Sequence, residues 1–345
     1  MNREKWVDVA RCLGIYAIYL LHMGENIESA YFFFFKFVVA LFFFLAGCTE
    51  TYQKELSFVD YARLKVKRIL LPTYMFVFLV VLVQLIQDEN IMKSLGILRD
   101  AFVYGERRNL PYVGTLWFFT CLFVIQLFFR LLLKLKNKWI ILGVSVVFLM
   151  ISEFALPHRP IIDPRWAWNV DSAMFYLFYF ALGYVLYPYL KNWFLLDTKK
   201  KKTTWIIVFL ISAIYTLAVF GHGESILMER SESFARVFSY PVSIELNLLI
   251  ISPLLIIVCV LCVSKLLENL QFLNTCGRET LYLCGNESIL KDLVPYFISL
   301  FGLELRFTNP ISAYFYCFLL LFFACKYIIP VQRKIVSRFE KHLFK

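Results

Sequence analysis

The chain has 345 residues, 60% of them hydrophobic and 19% aromatic, with a mean hydropathy of +0.68 and a formal charge of +11. Soluble domains carry about 45–50% apolar residues, so this composition excludes a water-soluble core and predicts an all-α integral membrane protein. The charge needs no nucleic-acid partner, because its distribution along the chain follows membrane topology instead.

The first apolar segment, residues 7–23, carries Asp8, Arg11 and His22. The step from Arg11 to His22 advances a helix by three turns plus roughly 20°, and by roughly 16 Å along its axis. Both side chains therefore share one face. Asp8 lies one turn before Arg11, within pairing reach. A charge inside the bilayer costs on the order of 2.5–3.5 kcal/mol on insertion scales, which makes an intramembrane ion a functional candidate. Snorkelling accounts for Arg11 alone. It accounts less well for Arg11 and His22 together, since they approach opposite ends of one span. A signal peptide is excluded because Arg11 interrupts the apolar run and no small-x-small cleavage site follows cleanly.

The second span, 31–49, holds Phe-rich runs at 32–35 and 42–44, which suit lipid or helix packing. Arg63, Lys65, Lys67 and Arg68 then crowd six residues immediately before the third span, 69–87. Such a cluster binds anionic lipid headgroups, or cradles the phosphates of a cofactor. The longest connection, 88–112, is too short for an independent domain. A fourth span, 113–133, opens on Gly114-Thr115-Leu116-Trp117, and Trp166 and Trp168 precede the sixth span with Asp171. Interfacial anchoring explains all three tryptophans; aromatic faces beside carboxylates also suit sugar rings. His158 and His222 fall in outer loops and His342 in the basic tail, where solvated histidines without a role are expected.

Further spans are expected at 139–156, 172–190, 204–220, 240–263, 280–299 and 310–330, making ten. The four lysines at 199–202 read as a topology anchor. Nine cysteines lie in or beside spans and are expected to be packing residues rather than disulfides. Cys259 and Cys262 have no second pair at ligand spacing, so no metal is implied. In the ninth span, Asn286 and Glu287 sit roughly 10–12 Å into the helix. A carboxylate at that depth should face the bundle interior and find a cation or a proton. Arg11 lies at a broadly similar depth, which makes one shared polar site for Arg11 and Glu287 an expectation.

With both termini cytoplasmic, 24 of the 36 Lys and Arg fall in inner segments and 10 in outer loops. Acidic residues divide the other way, 9 inside and 15 outside. This positive-inside bias supports an even number of spans. No repeat, linker or low-complexity tail appears, so residues 1–345 are expected to form a single membrane domain with no appended soluble one. Phe-rich surfaces serve lipid and a second copy of the chain equally, which leaves a homodimer open.

The order of these features resembles the acyltransferase 3 family of bacterial membrane acyltransferases, and its short members described as fucose 4-O-acetylase-like. The family's first helix carries an Asp, an Arg three residues on and a His after ten intervening residues, matched here by Asp8, Arg11 and His22. Its Phe-Phe-x-x-Ser-Gly pattern is similar to Phe43-Phe44-Leu45-Ala46-Gly47, with Ala for Ser. The basic loop closing on Pro is similar to residues 63–72, and the Leu-Trp-Phe start of the fourth helix to Leu116-Trp117-Phe118. The Phe-Tyr-Phe-x-x-Gly-Tyr pattern looks like Tyr179-Phe180-Ala-Leu-Gly183-Tyr184. One departure stands out: Glu287 falls where the family's late Ser-Leu-x-Ile-Tyr-x-x-His helix would align its histidine.

The resemblance implies acetyl-CoA as acyl donor on the cytoplasmic side, no metal, and a surface polysaccharide or lipid-linked saccharide as acceptor on the other, in a bacterial cytoplasmic membrane. On this reading His22, Arg11 and Asp8 carry catalysis, Glu287 joins them if this subgroup uses a carboxylate in place of the histidine, and Arg63, Lys65, Lys67, Arg68 and Asn286 hold the donor. Trp117, Trp166 and Trp168 then fall to the acceptor. A sugar hydroxyl benefits from a base, and histidine, with an unperturbed pKa of about 6.5, suits that task. An acyl-histidine relay is the covalent variant. Ten spans with interior charges also suit a transporter or flippase of a small anion or glycolipid, although no repeat between the chain halves supports it.

Overall fold

A backbone in hydrocarbon has to satisfy its own N–H and C=O groups, so apolar runs of this length fold as helices. The structure, a computed structural model, describes residues 4–27, 30–50, 56–88, 91–105, 114–161, 163–221, 250–307 and 309–343. Among these residues every regular element is helical: α1 Lys5–Leu21, α2 Ala30–Cys48, α3 Phe58–Lys65, α4 Leu71–Asp88, α5 Ile91–Val103, α6 Trp117–Leu132 and α7 Lys138–Met150. There follow α8 Val170–Trp193, α9 Lys199–Gly221, α10 Ser252–Leu266, α11 Gln271–Arg278, α12 Thr280–Leu300, α13 Pro310–Phe323 and α14 Ile329–Leu343.

Six described helical segments are long and apolar enough to cross a membrane: Phe58–Val83, Trp117–Leu135, Lys138–Ala155, Ala167–Trp193, Lys199–Phe220 and Pro310–Arg338. Phe33–Cys48 and Ser252–Leu266 are shorter apolar helices. The segment expected as the first span is α1, with 17 residues. The ninth is α12, whose apolar run is diluted by Glu287, Lys291 and Asp292 and interrupted by Pro295. The eighth, at 240–263, falls partly on residues 222–249, outside the described residues, as does His222. All nine cysteines are free thiols and seven are buried, as packing residues would be.

Three π-helical turns among the described residues lie just ahead of prolines. Val66–Leu70, Ile151–Ala155 and Ala324–Ile328 each end two residues before a proline, at Pro72, Pro157 and Pro330. At Pro72 and Pro330 the helix continues, and a widened turn relieves the missing N–H and the ring's clash with the carbonyl four residues back; at Pro157 the helix has ended, Leu156 being extended. At the first of them Thr73 Oγ1 donates to Ile69 O at 2.7 Å.

The chain forms two compact units. In the first (residues 1–45, 187–280 and 306–325) α1 packs against α10, α11 and α13. The approach of α11 is set by Gly277: a Cβ there would stand 1.7 Å from the Asp8 carbonyl oxygen. Without a hydrophobic drive between helices in lipid, small residues that permit backbone contact supply the packing. The second unit holds residues 46–186, 281–305 and 326–345. There Gly47 lies on α8, where a Cβ would meet Phe180 O at 1.9 Å, and Cys48 Sγ donates to Gly183 O at 3.5 Å. Two of the sequence patterns singled out above thus touch each other, one needing a glycine because the other's backbone fills the space.

Candidate functional site

In the first unit, α1 holds Asp8, Arg11 and His22. Asp8 is 1% exposed, and two guanidinium groups bracket it: Arg11 Nη1 at 3.8 Å from Oδ1 and Arg278 Nε at 3.5 Å from Oδ2. The Asp8–Arg11 pair is the one its spacing predicts. Arg278 is the residue that spacing misses, since it arrives on α11 through the Gly277 contact. One buried carboxylate is thus shared by two guanidinium groups, one of them half exposed. His22 closes the other end as the helix C-cap: its backbone N–H donates to Ile18 O at 3.1 Å, and its ring is half-buried. Helical geometry runs unbroken from Arg11 to His22, so the separation of roughly 16 Å on one face holds. Tyr16 OH, on the same helix, donates to Tyr314 O of α13 at 3.1 Å.

In the second unit the four cations ahead of the third span divide into two kinds. Lys65 is committed: its Nζ donates to Glu50 Oε2 at 2.8 Å, and Tyr61 OH donates to Glu50 Oε1 at 2.9 Å. Arg130, from the last turn of α6, stands 5.1 Å from the Tyr61 ring centroid and donates through Nη2 to Leu56 O at 2.6 Å. These contacts tie Glu50 and Leu56 to α3 and α6. Arg63 is exposed and 3.7 Å from Asp60, Arg68 is exposed, and Lys67 is half-buried on the π turn. Replacing Lys65 by methionine is expected to strip a buried carboxylate of its cation and cost about 3 kcal/mol. Thermal unfolding in detergent reads that loss. Arg68→Met, at an exposed position, should leave unfolding unchanged.

The tryptophans also separate. Trp117 is buried, its ring 6.0 Å from that of Tyr176. Trp168 is half-buried against Phe123 at 6.4 Å, while Trp166 is exposed. The connection carrying Trp166 and Trp168 folds onto the start of α8 around Asp171. Its Oδ2 accepts from Arg165 N at 2.7 Å and Trp166 N at 3.2 Å.

His158 corrects the expectation of a solvated histidine. It is buried, with Nε2 2.8 Å from Asp171 Oδ2. A carboxylate withdrawn to the first turn of a helix needs donors, and the folded-back loop brings the imidazole to it. Trp168 and Asn169 both take left-handed φ values, 60° and 54°. Asn169 Nδ2 holds the turn by donating to Thr120 Oγ1 at 3.0 Å and to Gly105 O.

On α12, Asn286 and Glu287 are each 2% exposed. Asn286 exchanges two hydrogen bonds with Gln332 of α14, both 2.7 Å. Arg11 belongs to the first unit and Glu287 to the second. His342 lies in the last turn of α14.

A family model described as an acyltransferase domain, that of acyltransferase 3, matches residues 4–330. No curated protein and no solved structure matches the chain.

Proposed function

Because this chain belongs to the acyltransferase 3 family, and is thereby a membrane acyltransferase, we propose that it moves an acetyl group from cytoplasmic acetyl-CoA to a hydroxyl of an extracytoplasmic glycan or lipid-linked sugar. In this reading both units form one acyltransferase domain of about ten spans, with both termini cytoplasmic, in a bacterial cytoplasmic membrane, and the acceptor resembles those of fucose 4-O-acetylase-like enzymes. The observation that carries it is the first helix. It combines a guanidinium–carboxylate cluster at one end with an imidazole on the same face at the other.

The reaction follows from those groups. The acceptor oxygen attacks the thioester carbonyl while His22 takes the hydroxyl proton; the carbon–sulfur bond then breaks, and the thiolate leaves with a proton returned by the imidazolium. General base catalysis of this kind contributes roughly 10²–10⁴-fold. Arg11, oriented by Asp8 and roughly 16 Å along the helix from the imidazole, guides the charged donor toward His22 rather than touching the reacting carbonyl. Arg278 is added to the donor side for its half-exposed guanidinium. Arg63, Lys67 and Arg68 offer cations to the donor's phosphates, whereas Lys65 acts through the fold of the inner loop. Trp166 presents the exposed ring on which a sugar can stack, whereas Trp117 and Trp168 pack against Tyr176 and Phe123. Glu287 supplies a second ionisable group in place of the family's histidine.

Surface polysaccharides from the host, compared with and without this protein by mass spectrometry, test the reading. An acetyl ester of one sugar hydroxyl should disappear on deletion and return with the wild-type gene. Unchanged acetylation would reject the acceptor class.

A further inference from the structure

One turn of α12 is held from three sides. Thr115 Oγ1, just ahead of α6, donates to Cys284 O at 3.3 Å, and Cys284 Sγ donates back to Thr115 O at 3.9 Å. At the next residue α4 presses in so closely that a Cβ on Gly285 would stand 2.3 Å from the Phe76 ring. Asn286 then locks to α14: its Nδ2 donates to Gln332 Oε1 at 2.7 Å, and Gln332 Nε2 donates to Asn286 Oδ1 at 2.7 Å. A further bond from Asn286 Nδ2 reaches Tyr282 O at 2.9 Å. These contacts fix height, approach and rotation of the helix in turn. The residue that follows them is the buried carboxylate, Glu287.

We propose that Gln332 and Asn286 form a clasp whose role is to position Glu287. Asn286 is a positioning residue rather than a donor ligand, because both its amide hydrogens and its oxygen are already engaged. Gln332 lies just beyond residue 330, where the family match ends. The clasp accompanies the carboxylate that stands in place of the family's histidine. A group held to its site by several elements is preorganised, and small misplacements of such groups cost rate more than affinity. The part played by Glu287 in transfer rests on the function proposed above; the geometry of the clasp does not.

Several ionisable groups lie near this turn among the described residues. Lys291 follows Glu287 by one turn on α12 and Cys284 precedes it; on α14, Arg333 stands 5.8 Å from the Tyr282 ring centroid. The elements packed at Cys284 and Gly285 bring Thr115 and Phe76, neither of which ionises at physiological pH.

The test compares purified full-length wild type, Asn286→Leu/Gln332→Leu and the exchanged pair Asn286→Gln/Gln332→Asn. Removing both amides leaves no buried polar group unpaired, so the double leucine variant should fold with wild-type thermal stability. Its kcat should nonetheless fall between about 10- and 100-fold, with KM for acetyl-CoA within about twofold. The exchanged pair keeps the summed reach of the two side chains and should restore kcat to within about threefold.

Infrared spectroscopy supplies a second readout that needs no turnover. The carboxyl stretch assigned to Glu287 by its loss in Glu287→Gln should change frequency or titration midpoint in the double leucine variant and return in the exchanged pair. A folded double leucine variant with wild-type kcat and a wild-type Glu287 band would overturn the clasp, as would a fall in kcat with no change in that band. If wild type transfers no label from acetyl-CoA, the proposed function fails, while the infrared arm still judges the clasp.

Discussion

Replacing His22 by alanine is expected to lower acetyl transfer by at least about 10²-fold, the lower range for loss of a general base. The protein should still fold and insert. His22 supports the end of α1 through its backbone N–H to Ile18 O, a bond that alanine keeps. The turn beyond it is fixed by other residues: Gly24 takes a φ of +57°, Asn26 Nδ2 donates to Met23 O at 2.9 Å, and Ile27 is buried. The effect should therefore fall on kcat with unchanged yield and unchanged thermal unfolding. Quantifying labelled ester per folded molecule checks it. Transfer within a few-fold of wild type would remove the imidazole from the mechanism.

The second large effect is structural. Gly277→Ala should prevent α11 from seating on α1, because the added carbon would stand 1.7 Å from the Asp8 carbonyl oxygen and 2.4 Å from its carbonyl carbon. These are backbone atoms of a helix and cannot rotate away. Overpacking usually costs about 1–3 kcal/mol and occasionally more; a clash with backbone belongs at the upper end. The displaced helix would also carry Arg278 away from Asp8 and Cys276 away from Cys325, whose sulfurs are 3.3 Å apart. Loss of the monodisperse peak in fluorescence-detected size exclusion is the expected result. Gly143→Ala is the control: nothing lies within 4 Å of a Cβ at that position, so yield should hold or rise with the better helix former.

Much of the candidate site was readable where partners are neighbours in sequence. Asp8 and Arg11 are three residues apart on one helix, so spacing alone predicted the pair at 3.8 Å. The match over residues 4–330 likewise bears out the family that the order of motifs indicated, and it favours the acyltransferase over the transporter. Partners distant in sequence were not readable. Arg278 reaches Asp8 across 270 residues, Gln332 meets Asn286 across 46, and Arg130 reaches Leu56 O across 74. Lys65 looked like its three basic neighbours because nothing local reveals that Glu50, on the preceding helix end, has claimed it. His158 looked solvated for the same reason, its carboxylate being 13 residues on. The two close helix contacts at Gly47 and Gly277 were invisible too, since a glycine in an apolar run does not announce which backbone it admits.

Sided transfer in proteoliposomes tests the central claim most directly. Acetyl-CoA labelled in the acetyl group is supplied on the face carrying the basic loop, and a surface oligosaccharide from the host only on the opposite face. The account predicts labelled ester on the oligosaccharide, one free thiol released for each ester formed, and neither in the His22→Ala protein. Ester formation by that variant at the wild-type rate, or by wild type only when donor and acceptor share a face, would contradict it.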